Sequence, residues 1–64
     1  MEQKMWLARD KDGTITLFPY EKPHKGNIEW FPNHEEYMIL NKNMFPEVKW
    51  SDNKPTKVKL EIVK

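Results

Sequence analysis

Cysteine is absent from this chain. That excludes a structural disulfide and any thiolate zinc site. Glycine occurs only at positions 13 and 26, too far apart for a loop that cradles phosphate with successive backbone amides. The one serine, Ser51, has no histidine near it in the sequence, so a nucleophilic triad has no support. Neither sign of charge dominates. Eleven Lys and Arg stand against ten Asp and Glu, for a formal +1, which lacks the basic surplus of a typical nucleic-acid domain. The longest apolar run, Tyr37-Met38-Ile39-Leu40, falls far short of the roughly 18 residues of a membrane-spanning helix. Glu2, Lys4, Arg9 and Asp10 interrupt any signal-peptide core in the first ten residues. The expected location is therefore cytoplasmic.

What remains must hold the chain together. Its 64 residues suit one domain, 1–64. A domain of this size buries only about 60% of the surface its unfolded chain exposes, and disulfides are not at hand to help. The main resource is aromatic: three Trp, three Phe and two Tyr, each able to bury roughly 150–250 Å². With Leu7, Ile15, Leu17, Ile28, Ile39, Leu40, Val48, Val58, Leu60 and Ile62 they provide one modest core. Self-association is the other way to hide such surface.

Met5 to Arg9 reads as a strand with Trp6 and Ala8 on one face and Met5, Leu7 and Arg9 on the other. Asp10-Lys11-Asp12-Gly13 is a turn, with Asp to start it and Gly to accept positive φ. Thr14 to Phe18 alternates and closes a β-hairpin. Pro19 ends that strand, and 20–27 is a loop rich in breakers. Ile28 to Phe31 reads as a short strand ended by Pro32, and Tyr37 to Leu40 as another. A helix through 33–45, capped by Asn33 and stopped by Pro46, is the rival reading. Asn41 to Pro46 suggests a helical or 3₁₀ turn whose Met44 and Phe45 plug the core. Glu47 to Trp50 reads as extended, with Val48 and Trp50 on one face. Lys57 to Ile62 alternates cleanly, which predicts one buried and one wet face.

The expected fold is mainly β: a four- to five-stranded antiparallel meander, or a small SH3-like barrel, with one short helical or 3₁₀ turn. The order of Leu7 to Thr14, then Lys22-Pro23, then Leu40 followed by Phe45 to Trp50 is similar to that of small uncharacterised proteins of phages, prophages and gut-bacterial genomes. That resemblance spans most of the chain and implies a stand-alone bacterial or phage-borne cytoplasmic domain. It assigns no residue a role.

Chemical motifs fare poorly. Placing Gly13 at the sixth position of a calcium loop puts Ala8 first and Pro19 twelfth, where carboxylates are required. His24 and His34 lack partners at metal-ligand spacing. Asp10, Asp12, Glu35, Glu36 and Asp52 lie in expected turns, where solvation keeps carboxylates ordinary. No enzyme activity, cofactor or metal is expected.

One pattern stands out. Trp6, Tyr20, Trp30, Phe31 and Trp50 interleave with Lys22, Lys25, Lys49 and Lys54. On a small β-domain this suggests a stacking platform for single-stranded nucleic acid, although Glu21, Glu29, Glu47 and Asp52 among them repel phosphate. The favoured expectation is a small protein-binding or self-associating module, such as an accessory factor or inhibitor of a phage or mobile element. Trp and Tyr dominate interface energetics. Tyr20, Trp30 and Phe31, flanking the Pro-containing loop, are its expected binding residues.

Overall fold

The computed structural model describes residues 2–63. Its framework is the first hairpin. Strands β1 (Glu2–Arg9) and β2 (Ile15–Phe18) pair antiparallel, with Leu7 opposite Leu17, Ala8 opposite Thr16 and Arg9 opposite Ile15. The turn between them closes through Asp10 N–H to Thr14 O at 2.8 Å and Gly13 N–H to Asp10 O at 3.0 Å. Asp12 Oδ1 accepts the Thr14 N–H at 2.9 Å, an aspartate turn of the kind the sequence suggests. Gly13 has φ of 99°, a backbone state that a Cβ would strain.

Two later strands flank this hairpin. Strand β5 (Met38–Leu40) joins β2, with Ile15 opposite Leu40 and Leu17 opposite Met38. Strand β6 (Thr56–Glu61) returns to the free side of β1, with Met5 opposite Val58 and Leu7 opposite Thr56. The order is β5-β2-β1-β6. A separate short hairpin pairs β3 (His24–Lys25) with β4 (Trp30–Phe31).

Successive side chains of a strand point to opposite faces, so the sheet feeds two clusters. On one face Leu7, Ile15 and Val48 are buried, with Leu17, Leu40 and Val58 packed against them. On the other, Ala8, Phe18 and Trp30 are buried, backed by Trp6 and Trp50. The domain is therefore a sheet between two thin covers. The segment 41–48 caps one face and the β3–β4 hairpin caps the other.

The all-β antiparallel expectation holds, and several details change. The sheet stays open, because β5 and β6 end it on opposite sides instead of meeting; a barrel would pair them. The described residues contain no helix. The rival helix through 33–45 does not form, since residues 38–40 find a better backbone partner in β2. At 41–46 a single turn appears, closed by Met44 N–H to Asn41 O at 2.9 Å. Met44 and Phe45 are exposed and do not plug the core. The loop read at 20–27 contributes β3, and the strand read at 28–31 shortens to Trp30–Phe31. Val48 and Trp50 do not share a face: they join opposite clusters. The alternating strand at 57–62 buries less than its pattern promises. Val58 is half-buried, but Leu60 is 62% and Ile62 72% exposed.

Candidate functional site

The three residues singled out from the sequence separate. Trp30 is 6% exposed and belongs to the core. Its indole Nε1 is buried without a hydrogen-bond partner. An N–H that water cannot reach serves no ligand in this conformation, so the group is a structural cost. Tyr20 and Phe31 are exposed, each against a different imidazole. Tyr20 meets His34 at 4.8 Å between ring centroids, and Phe31 stacks on His24 at 5.4 Å. His24 Nδ1 lies 2.9 Å from Asn33 Oδ1, and Asn33 Nδ2 donates to Lys22 O at 2.7 Å. The histidines thus brace the hairpin loops. Among the described residues, no three His, Asp or Glu side chains lie close enough to hold a metal ion.

Lysines with indoles also prove structural where they meet most closely. Lys25 Nζ sits 4.2 Å from the Trp50 ring centroid and 5.7 Å from that of Trp30. It donates to the carbonyls of Trp50 at 2.7 Å and Asp52 at 3.0 Å. A cation held over an aromatic face and bonded to two carbonyls ties the 50–52 turn to β3.

Asp10 plays the matching role at the other end. Its Oδ1 accepts the Trp30 N–H at 2.9 Å, and Lys11 N–H reaches Ile28 O at 3.0 Å. Burial pushes the Asp10 carboxyl above its ordinary value, opposed by the Trp30 hydrogen bond and helped by neighbouring Asp12. Asp12 is lowered, chiefly by the Thr14 backbone N–H. The two carboxylates sit at the mouth of a small cavity of about 280 Å³ with Lys11, Ile28 and Glu29. Both are already engaged, Asp10 with the Trp30 N–H of β4 and Asp12 with the Thr14 N–H of the first turn.

The side chain that organises the opposite face is Arg9, the only arginine of the chain. Its guanidinium makes five hydrogen bonds, all to backbone carbonyls. Nε donates to Val48 O at 2.7 Å; Nη1 to Gly13 O at 2.7 Å and Lys42 O at 3.0 Å; Nη2 to Met44 O at 2.9 Å and Phe45 O at 3.1 Å. A planar fork with five N–H groups is matched to five acceptors. This fastening shapes the 41–48 segment and holds Phe45 at φ of 53°, a left-handed conformation costly for a bulky residue.

The fastened segment covers only the end of its sheet face. Beyond it lies an apolar groove of about 430 Å³ lined chiefly by Leu17, Leu40, Met44, Phe45, Val58 and Leu60, with Met5 and Leu7 at its floor and the Lys59 chain at its rim. Met38, on the same side by register with Leu17, is also exposed, and Ile62 and Val63 extend the apolar surface past β6. This is the candidate site. Sequence reasoning placed Met5, Leu7 and Arg9 on one face, and the solitary arginine beside two apolar residues was the available signal. The open groove left no mark, because an alternating strand looks the same whether or not its apolar side finds a cover. The chain matches no known family model, no curated protein and no solved structure at a significant level.

Proposed function

We propose that this chain is a protein-binding module that presents the open apolar face of its four-stranded sheet. One observation carries the reading. The residues around the groove are apolar in the sequence pattern and sit on the core-facing side of their strands, yet the 41–48 segment stops short of covering them. Met-rich apolar surfaces adapt to a partner's shape, and Met38 and Met44 supply that here, with Phe45 as a rigid anchor. The activity is binding and involves no bond making.

Site-specific photocrosslinking tests it. A benzoylphenylalanine at position 45 is expected to give discrete protein adducts in cells, and the adducts are expected to vanish in a Leu60→Glu background. The same probe at position 20 is expected to give none. Adducts only at 20, or equal adducts at both positions, defeat the proposal.

A second reading, single-stranded nucleic-acid binding, has one observation in its favour. Lys4 and Lys59 lie directly opposite one another, and Lys57 lies opposite Trp6. Together Lys4, Lys57 and Lys59 line a shallow depression. Like charges facing across strands are unfavourable, and phosphate would relieve them. Against it, Glu61 stands 3.8 Å from Lys59, and Trp6 and Trp50 are committed to the core. Salt-sensitive quenching of Trp fluorescence by oligonucleotides would favour this reading, and its absence at low salt removes it.

A further inference from the structure

We infer that this chain pairs with a second copy of itself along the sheet edge, through antiparallel pairing of β6 with β6 across a two-fold axis at Leu60. The inference goes beyond the protein-binding reading: the contact runs along the sheet edge beside the groove and leaves the groove itself open.

Strand β6 ends the sheet, and no described strand pairs with its outer side. Six residues long, it offers a longer open edge than β5, which has three. Open edges of this length are templates for pairing. In a two-fold antiparallel pair with the axis normal to the sheet, only residues of like parity can face each other, because side chains alternate. The choices are few. An axis at Val58 sets Lys57 against Lys59 twice. One at Lys59 sets Lys57 opposite Glu61 twice but also sets Lys59 against itself. One at Glu61 sets that carboxylate against itself. The axis at Leu60 alone brings opposite charges together with no like-charged pair: it sets Lys59 opposite Glu61 of the second copy, twice over. It also sets Leu60 against Leu60 and Val58 against Ile62. Lys59 and Glu61 already stand 3.8 Å apart within one chain, so the four charges form a ring of alternating sign.

The same axis accounts for the exposed apolar residues of the last strand. Leu60 and Ile62 carry the apolar phase of an alternating strand, yet lie 62% and 72% exposed. In this register they gain apolar neighbours from the second copy. The two grooves fall on the same side of one continuous sheet, four strands from each copy. Isologous two-fold contacts of this kind are the commonest route to closed oligomers. Facing Val58, Ile62 becomes part of β6, which therefore runs at least one residue longer in the dimer.

Solution mass and charge reversal test it, using the full chain. Sedimentation equilibrium across a dilution series is expected to show mass rising from 7.8 kDa to twice that value, and no further. Glu61→Lys and Lys59→Glu alone each turn both attractive pairs into repulsive ones, so each is expected to weaken dimerisation about tenfold. An equimolar mixture of these two variants restores attraction at both pairs and is expected to dimerise at least as well as the unaltered chain. Near-UV circular dichroism shows that each variant is folded. Because the chain has no cysteine, Leu60→Cys is expected to form a disulfide between copies on oxidation. Lys57→Cys is not, since its counterpart lies about 20 Å away at ~3.3 Å per residue along the strands. A chain monomeric at the highest soluble concentration overturns the inference. So do dimers indifferent to both charge reversals, crosslinking at 57 rather than 60, or open-ended growth. Adducts at position 45 with another protein, alongside a monomeric chain, leave the binding reading standing and remove the second copy.

Discussion

At the scale of single residues, the arginine fork is the most demanding interaction in the molecule. A buried charge-assisted hydrogen bond contributes a net of about 1.5–3 kcal/mol, and Arg9 makes five hydrogen bonds, two of them part-buried and three exposed. Half-exposure and water reduce the sum, so Arg9→Ala is expected to cost about 2–4 kcal/mol in urea denaturation. Arg9→Lys is expected to recover little of this. An ammonium has three donors and no planar fork, so at least two carbonyls lose their partner. Equal stability of the lysine variant would show that charge, and not geometry, fastens the 41–48 segment.

Asp10 makes a prediction with a definite sign. Burial raises its carboxyl in the folded chain. A raised acid contributes stability that is present below its unfolded value and lost as pH rises through its folded value. Asp10→Asn keeps an oxygen for the Trp30 N–H and removes the buried charge. Its stability relative to the unaltered chain is therefore expected to improve between acidic and neutral pH. Asp10→Ala leaves that N–H without its acceptor and is expected to destabilise by about 1–2 kcal/mol at either pH. Denaturation midpoints at the two pH values check both, and an asparagine variant that loses ground toward neutrality contradicts the account.

At the scale of elements, the two hairpins depend on their glycines for different reasons. Gly13 has open space where a Cβ would go, but its φ is 99°, so the penalty of substitution is conformational. Gly13→Ala is expected to cost about 1 kcal/mol or more. Gly26 has no such φ. A Cβ there would run into the Phe31 ring and come within 3.1 Å of Glu29 O. Gly26→Ala is therefore expected to displace Phe31 from His24, visible as a change in the His24 ring proton shifts by NMR, with the main sheet intact. Unchanged His24 resonances would mean that the β3–β4 hairpin absorbs the methyl elsewhere. The contrast is physical. A turn glycine is demanded by its own backbone, whereas this second one is demanded by a side chain five residues on.

For the whole molecule, the uneven cover of the sheet sets where mutations matter. Leu7 is buried between strands and cap, so Leu7→Ala is expected to cost about 2–5 kcal/mol. Leu60 lies on the same face but outside the cap. In dilute solution, Leu60→Thr is expected to change stability by less than about 0.5 kcal/mol. Denaturation at low concentration separates the two. A large loss at Leu60 there would show that the single chain covers its face after all.

The sequence by itself determined the local and periodic features. Asp10 to Gly13 had to turn, and Thr14 to Phe18 had to be extended. Leu7 with Arg9, and Trp6 with Ala8, had to take opposite sides, because strand parity is a property of neighbouring residues. It also made Leu60 and Ile62 the apolar phase of the last strand. Only the tertiary structure decided which strands meet. Parity does not say that β6 returns to β1 or that β5 joins β2, since such pairing is settled by competition among distant backbone edges. That competition sent Trp30 inward and left Phe31 outside, split Val48 from Trp50, and drew residues 38–40 into the sheet instead of a helix. It also left one apolar face half-covered, because coverage depends on where the Arg9 fork anchors the 41–48 segment across more than thirty residues of chain.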